Sequence, residues 1–208
     1  MAGKEKFMRL DKLTLKAQEA FQEAQNIAGK FNQQEITPEH ILLAFLQQEG
    51  GVVPAIFSKV GTNANLFVDK LMGLIKTLPQ VTGSVASQVY ISSILKRVMD
   101  NAFKEAEILK DEFVSSEHVL IAISSEKDCK AGEMLREQGM SKKVILKILQ
   151  DVRGPHRVTD QDPEGKYQAL KKYACDLTEM ARQGKLDPVI GRDDEIRRVI
   201  RPFTSHKK

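Results

Sequence analysis

The side chains best suited to proton transfer, nucleophilic attack or metal ligation are four histidines, His40, His118, His156 and His206, and two cysteines, Cys129 and Cys175. Covalent catalysis needs a nucleophile and a base within hydrogen-bond reach, and a metal centre needs several ligands at characteristic spacing. The sequence offers neither arrangement. No His lies within a helical turn of a second His, no Ser or Cys nucleophile motif accompanies one, and neither Cys has a Cys or His neighbour at ligand spacing. The Gly-x-x-x-x-Gly-Lys-Ser/Thr loop that cradles nucleotide phosphates is absent too. The residues therefore point to binding rather than catalysis, with no catalytic residue and no metal, and the two thiols read as inert packing groups in a reducing compartment.

Two of the histidines disclose the organisation of the chain. Ile36-Thr-Pro-Glu-His-Ile-Leu-Leu-Ala recurs as Val114-Ser-Ser-Glu-His-Val-Leu-Ile-Ala, an offset of 78 residues (118 minus 40). The same offset, without a gap, aligns Leu13 with Ile91, Thr14 with Ser92, Ala24 with Ala102, Gly61 with Gly139 and Leu71 with Leu149. Apolar residues fall at helical spacing in both copies: Leu13, Ala17, Ala20, Ala24, Ala28 and Phe31, then Ile91, Leu95, Val98, Ala102, Ala106 and Leu109. Thr14, Ser92, Thr37 and Ser115 are candidate N-caps, Pro38 is pre-set for a first helical turn, and Glu39 and Glu117 place a negative charge at the positive end of a helix dipole. Gly61 and Gly139 read as left-handed helix stops. Each copy, 13–75 and 91–153, thus holds about four helices, with few strand formers and no hairpin signal. The fold class is all-α: a pseudo-twofold repeat of two four-helix units in one bundle, with His40 and His118 packing between the halves.

Composition supports a globular chain and narrows its partners. The 208 residues are 41% hydrophobic and 29% charged, enough to bury a core. No apolar run reaches the roughly 20 residues of a membrane span, and the first residues lack a signal-peptide pattern, so no membrane partner and a cytoplasmic location are expected. The net charge of +4 and a pI near 9.0 raise the question of nucleic acid. The 32 Lys and Arg are, however, interleaved with 28 Asp and Glu, which describes a solvated mixed-charge surface and no nucleic-acid partner.

After Arg153 the segment 154–166 is polar and broken by Pro155 and Pro163, and reads as a linker. A short helix, roughly Tyr167 to Gln183, is expected next, and Pro202 would interrupt a further helix that begins at Asp194.

These residues resemble the ClpB family of AAA+ chaperones, on Met8-Arg-Leu-Asp-Lys-Leu-Thr, the two Glu-His segments, Val158-Thr-Asp-Gln-Asp-Pro-Glu and Gln183-Gly-Lys-Leu-Asp-Pro-Val-Ile-Gly-Arg. The resemblance spans Met8 to Ile200. It implies a leader or tag over 1–7, a double Clp N-terminal repeat over 8–153, a linker over 154–166, the opening of a first ATPase domain over 167–200, and an atypical tail over 201–208. It further implies a module that docks unfolded or aggregated proteins for a hexameric ATPase acting with an Hsp70-type chaperone system. The alternative is an adaptor-docking domain of the ClpA and ClpC type, whose rings feed a protease. ATP and Mg²⁺ would belong to the full-length family protein, a homohexamer. This chain would be a monomer without a cofactor, although Val189, Ile190 and Gly191 resemble the backbone that flanks adenine.

The resemblance also supplies substrate-binding candidates, Thr14, Asp111 and Glu117. Each has a structural alternative: Thr14 as an N-cap, Glu117 as a helix-dipole partner and Asp111 as a solvated loop residue. Capping ranks above contact for Thr14 and Glu117, and the two readings of Asp111 stand level. Asn101 and Glu105 are polar on the helix that the resemblance would place along a substrate groove, which predicts a weaker or shifted groove. The proline-broken linker would let the domain swing.

Overall fold

A computed structural model of the chain describes residues 10–81, 89–153, 157–163, 177–182, 184, 191, 192, 194, 195, 197 and 198. The first copy forms α1 (Leu15–Lys30), α2 (Pro38–Gln47), α3 (Val52–Val60) and α4 (Ala64–Lys76); the second forms α5 (Ser93–Leu109), α6 (Ser116–Ser125), α7 (Lys130–Glu137) and α8 (Lys142–Arg153). Each helix of the first copy begins 78 residues before its counterpart, as the repeat predicts. The stops are repeated as well. Gly61 and Gly139 adopt left-handed φ values of 80° and 75°, and Asn32 and Lys110, just past α1 and α5, adopt 53° and 58°.

Apolar patterning explains the layering. In α2 the residues from Pro38 to Phe45 are all buried, and in α6 those from Ser116 to Ser124. A helix apolar on all sides must sit in the interior. The striped helices cover these two: α1 and α4 pack on α2, and α5, α7 and α8 pack on α6. Contacts of α7 with α2, and of α3 with α6 and α8, join the halves. At the centre Phe45, Phe57, Leu42, Ile56 and Leu120 are fully enclosed.

The all-α architecture holds with one addition that the sequence reading did not contain. A two-residue strand, β1 (Glu35–Ile36), pairs in parallel with β2 (Tyr90–Ile91), and an isolated parallel bridge joins Leu13 to Val114. These are one pairing written twice, since Leu13 corresponds to Ile91 and Ile36 to Val114. In both instances the residues ahead of one half's first helix pair with the residues ahead of the other half's second helix. The halves are therefore exchanged at the backbone as well as packed. Thr14 N–H donates to Val114 O at 3.0 Å and Val114 N–H to Lys12 O at 2.8 Å; across the pseudo-twofold, Ser92 N–H donates to Ile36 O at 3.0 Å.

A second difference concerns the expected linker. Of 154–166, residues 157–163 are described, and Val158 within them is fully buried. The chain divides into compact units Met1–Ala169 and Leu170–Lys208. In the second unit Leu177–Arg182 is helical (α9), within the helix expected over 167–183, of which 167–176 and 183 lie outside the described residues. The leader 1–7 and the tail 201–208, with Pro202 and His206, also lie outside them, as do Cys175 and His156.

Among the described glycines a close backbone approach occurs at Gly132 in α7, where a Cβ would run into Ile123 O and stand 3.0 Å from Glu126 O. Gly to Ala inside a helix ordinarily gains about 1 kcal/mol. Here the obstructing atoms are backbone, so Gly132→Ala is expected to lower stability by about 1–3 kcal/mol through overpacking. A urea melt reads the sign directly: an unchanged or raised midpoint would show that α7 can move away from α6.

Candidate functional site

Each half builds the same polar bracket at the start of its buried second helix. Thr37 and Ser115 are the caps of α2 and α6, and the third helical residue is His40 or His118, where a capping box usually carries Glu or Gln. Nδ1 of His40 accepts the Thr37 N–H at 3.1 Å, and Nδ1 of His118 accepts the Ser115 N–H at 3.0 Å. That fixes the tautomer, so the hydrogen sits on Nε2 and each ring donates from its far side. His40 donates to Gln33 Oε1 at 2.7 Å, and His118 to Asp111 Oδ2 at 3.0 Å. Both histidines are fully buried. They cap helices inside the halves, a more specific role than the packing between halves that the repeat suggested.

The two brackets differ in charge. Gln33 completes the first by donating to Ile75 O at 2.6 Å. The 78-residue offset carries Gln33 to Asp111 and Ile75 to Arg153, so a neutral amide on a carbonyl becomes an ion pair. Asp111 takes Arg153 on both oxygens, at 2.7 Å from Nη1 to Oδ2 and through Nη2 to Oδ1, together with the Val158 N–H at 2.8 Å. Its side chain is wholly buried, which corrects the reading of Asp111 as a solvated loop residue. Burial raises the carboxyl's pKa, but the bonds from His118, Arg153 and Val158 outweigh it and hold the group at about 2. Arg153, 9% exposed, also stands 3.7 Å from Glu117 Oε1.

The other expected residues lie close to this second bracket. Glu117 is fully buried in the first turn of α6, with Arg153 as its ion-pair partner, and neither of its oxygens accepts a hydrogen bond from the described residues. Thr14 is also fully buried, and its Oγ1 accepts the Ala17 N–H at 3.4 Å as the N-cap of α1. None of the three therefore presents its side chain at the surface. Glu39, the counterpart of Glu117, reaches across to the other half, where Oε1 accepts the Ala131 N–H at 3.2 Å beside the thiol of Cys129. Burial, and then the Glu39 charge, push that thiol up to about 12, far from a thiolate nucleophile at neutral pH.

Among the described residues no three His, Cys, Asp or Glu side chains converge. Val189 and Ile190 lie outside the described residues, and Gly191, with φ 78°, has no phosphate-binding loop in the sequence to work with.

What the surface offers instead is one face of α5. Ile94, Asn101, Glu105 and Ile108 recur there at helical spacing. Ile108 is 66% exposed, the highest value among the exposed large apolar side chains described. Glu105 is tied to Lys142 of α8 at 2.6 Å, and Asn101 accepts from Lys104 at 3.4 Å.

The first bracket makes a pH prediction. Burial lowers His40 from 6.5 to about 4, against the opposing pull of Glu39. Below pH 6.5 the unfolded chain binds a proton that the folded chain refuses, so stability is complete above about 6.5 and falls as pH drops towards 4. The full loss is about 3 kcal/mol. Asp111 adds a second decline, present above its unfolded value of 3.8 and lost as pH falls towards 2. Urea midpoints between pH 7 and 4 should slope in the native chain and flatten in His40→Asn; equal slopes would remove His40 from the account.

Comparison with known proteins agrees with this geometry. Residues 12–138 match the family model described as the Clp repeat (R) N-terminal domain. The chain is 43% identical over 204 residues to the chaperone protein ClpB of Nitratidesulfovibrio vulgaris and 43% identical over 203 residues to that of Bacillus cereus, in both cases across 97% of its length. It spans about a quarter of those relatives, 24% and 23%. Among solved structures it is similar in fold to the Hsp104 N-terminal domain of Candida albicans, with TM-score 0.64, 19% identity and coverage of 74% of this chain and 99% of that one. A second similar structure is the N-terminal domain of the ClpV1 ATPase of E. coli, with TM-score 0.60, 19% identity and coverage of 73% and 91%. The chain belongs to the Clp repeat N-terminal domain family.

Proposed function

We propose that this domain docks unfolded or aggregated polypeptide and hands it to an ATP-driven ring formed by the longer protein, as a ClpB-type disaggregase would require. The observation that carries the reading is the exposed Ile108 beside Asn101 and Glu105 on one face of α5, in a chain 43% identical to proteins named chaperone ClpB. Unfolded chains differ from folded ones chiefly in uncovered apolar surface, and an exposed apolar anchor beside polar groups captures such surface weakly and without strict sequence preference. Weak capture suffices in a ring, where several tethered sites raise avidity by roughly 10²–10⁴. Thr14, Asp111 and Glu117 enter this reading as residues that position the docking helices. ATP, Mg²⁺, the homohexamer and an Hsp70-type partner belong to the longer protein. Adaptor docking for a protease-feeding ring is the second outcome that the test below separates.

Fluorescence anisotropy of a labelled, permanently unfolded polypeptide, titrated with the full chain, should show saturable binding that the folded form of that polypeptide lacks. Ile108→Ser should weaken it about tenfold, the equivalent of roughly 1.4 kcal/mol, while shifting stability by less than about 0.5 kcal/mol. Absence of binding at millimolar protein, or an unchanged affinity in Ile108→Ser, would set this reading aside in favour of adaptor docking.

A further inference from the structure

The segment that sequence composition marks as a free tether is fastened to the domain at both ends of a short run. Val158 buries its side chain completely, donates its N–H to Asp111 Oδ1 at 2.8 Å and accepts the Glu112 N–H at 2.9 Å. Three residues later Gln161 O accepts the Leu15 N–H at 2.8 Å, at the first residue of α1, and Gln161 Nε2 donates to Asp11 O at 3.1 Å. Asp111 and Glu112 belong to the second half of the repeat, and Asp11 and Leu15 to the first. The run 157–161 therefore straps the two halves together.

The strap also explains why the repeat departs from symmetry at this point. In the first half the bracket has a single incoming donor, the His40 Nε2–H, and the one carbonyl oxygen of Gln33 is enough. In the second half the corresponding side chain receives His118, both arms of Arg153 and the Val158 N–H. Only a carboxylate has the acceptor capacity for all of them. Arg153 is itself the last residue of α8, so the same group fixes the helix end from which the strap departs.

We infer that residues 157–161 form a releasable strap across the two halves and that Asp111 is its latch, so that Asp111 governs whether this run lies on the helical domain or comes free of it. Release would free residues 157–161, five residues that extend about 18 Å at about 3.5 Å each.

The test uses the full chain and two readouts, trypsin cleavage after Arg157, mapped by mass spectrometry, and amide exchange at Leu15 and Glu112, with the amides of Leu42 and Phe45 reporting global stability. In the native chain, cleavage after Arg157 should be at least tenfold slower than in a free peptide spanning 150–166. Val158→Gly, which removes the buried anchor without touching Asp111, should raise cleavage and exchange at least tenfold while amides of Leu42 and Phe45 in α2 stay protected. Asp111→Asn, which also leaves Arg153 without its carboxylate and so lowers global stability, should raise exchange at Leu15 about fivefold beyond any rise at Leu42 and Phe45. Native cleavage as fast as in the peptide, no change in either variant, or an equal rise at Leu42 and Phe45 would each overturn the strap and its latch.

Discussion

A buried helix start must find partners for its backbone, and in this chain each half finds them in the other. The residues entering α2 and α6 lie in the interior, where an unpaired N–H or C=O costs as much as a lost hydrogen bond. Leu13 meets Val114 and Ile36 meets Ile91, so each half lends a short stretch of extended chain to its counterpart. Once that exchange is made, the halves cannot drift apart by sliding packed side chains. The brackets of His40 and His118 then fix the first turn of each central helix from within its own half.

Duplication provides the frame, and departures from it mark where the halves do different work. Gln33 and Ile75 close the first bracket with neutral groups, whereas Asp111 and Arg153 close the second with charge. Glu39 caps the incoming α7 from the opposite half, while Glu117 faces Arg153. A buried ion pair of this kind is weak support for stability compared with apolar packing, but breaking one partner is expensive because it strands the other charge. The second bracket is thus the more fragile one, and it is also where the run 157–161 is fastened.

Much of this was legible in the sequence. The 78-residue offset gave the number, order and stops of the helices because helical spacing, capping residues and the pair Gly61 and Gly139 leave strong local signals. The exchanged pairing was not legible, since two-residue strands carry no alternation to detect. The burial of Asp111 was signalled only indirectly: extending the repeat to Gln33 and Ile75 aligns them with Asp111 and Arg153, opposite charges at positions already due to meet. The docking of 157–163 was hidden by composition, because prolines and polar residues describe a tether equally well whether it is free or bound through its backbone. Thr14 caps α1, as a hydroxyl that precedes a helical stripe predicts.

The central claim is that backbone exchange makes the two halves one cooperative unit. Native-state amide exchange under increasing denaturant tests it at Thr14, Ser92 and Val114, whose N–H groups all cross between the halves. If the claim holds, these amides exchange only through global unfolding, with the same free energy and denaturant dependence as the α2 and α6 interiors. Exchange at a lower free energy, with a shallow denaturant dependence, would mean that the halves part locally while each remains folded, and would contradict the account.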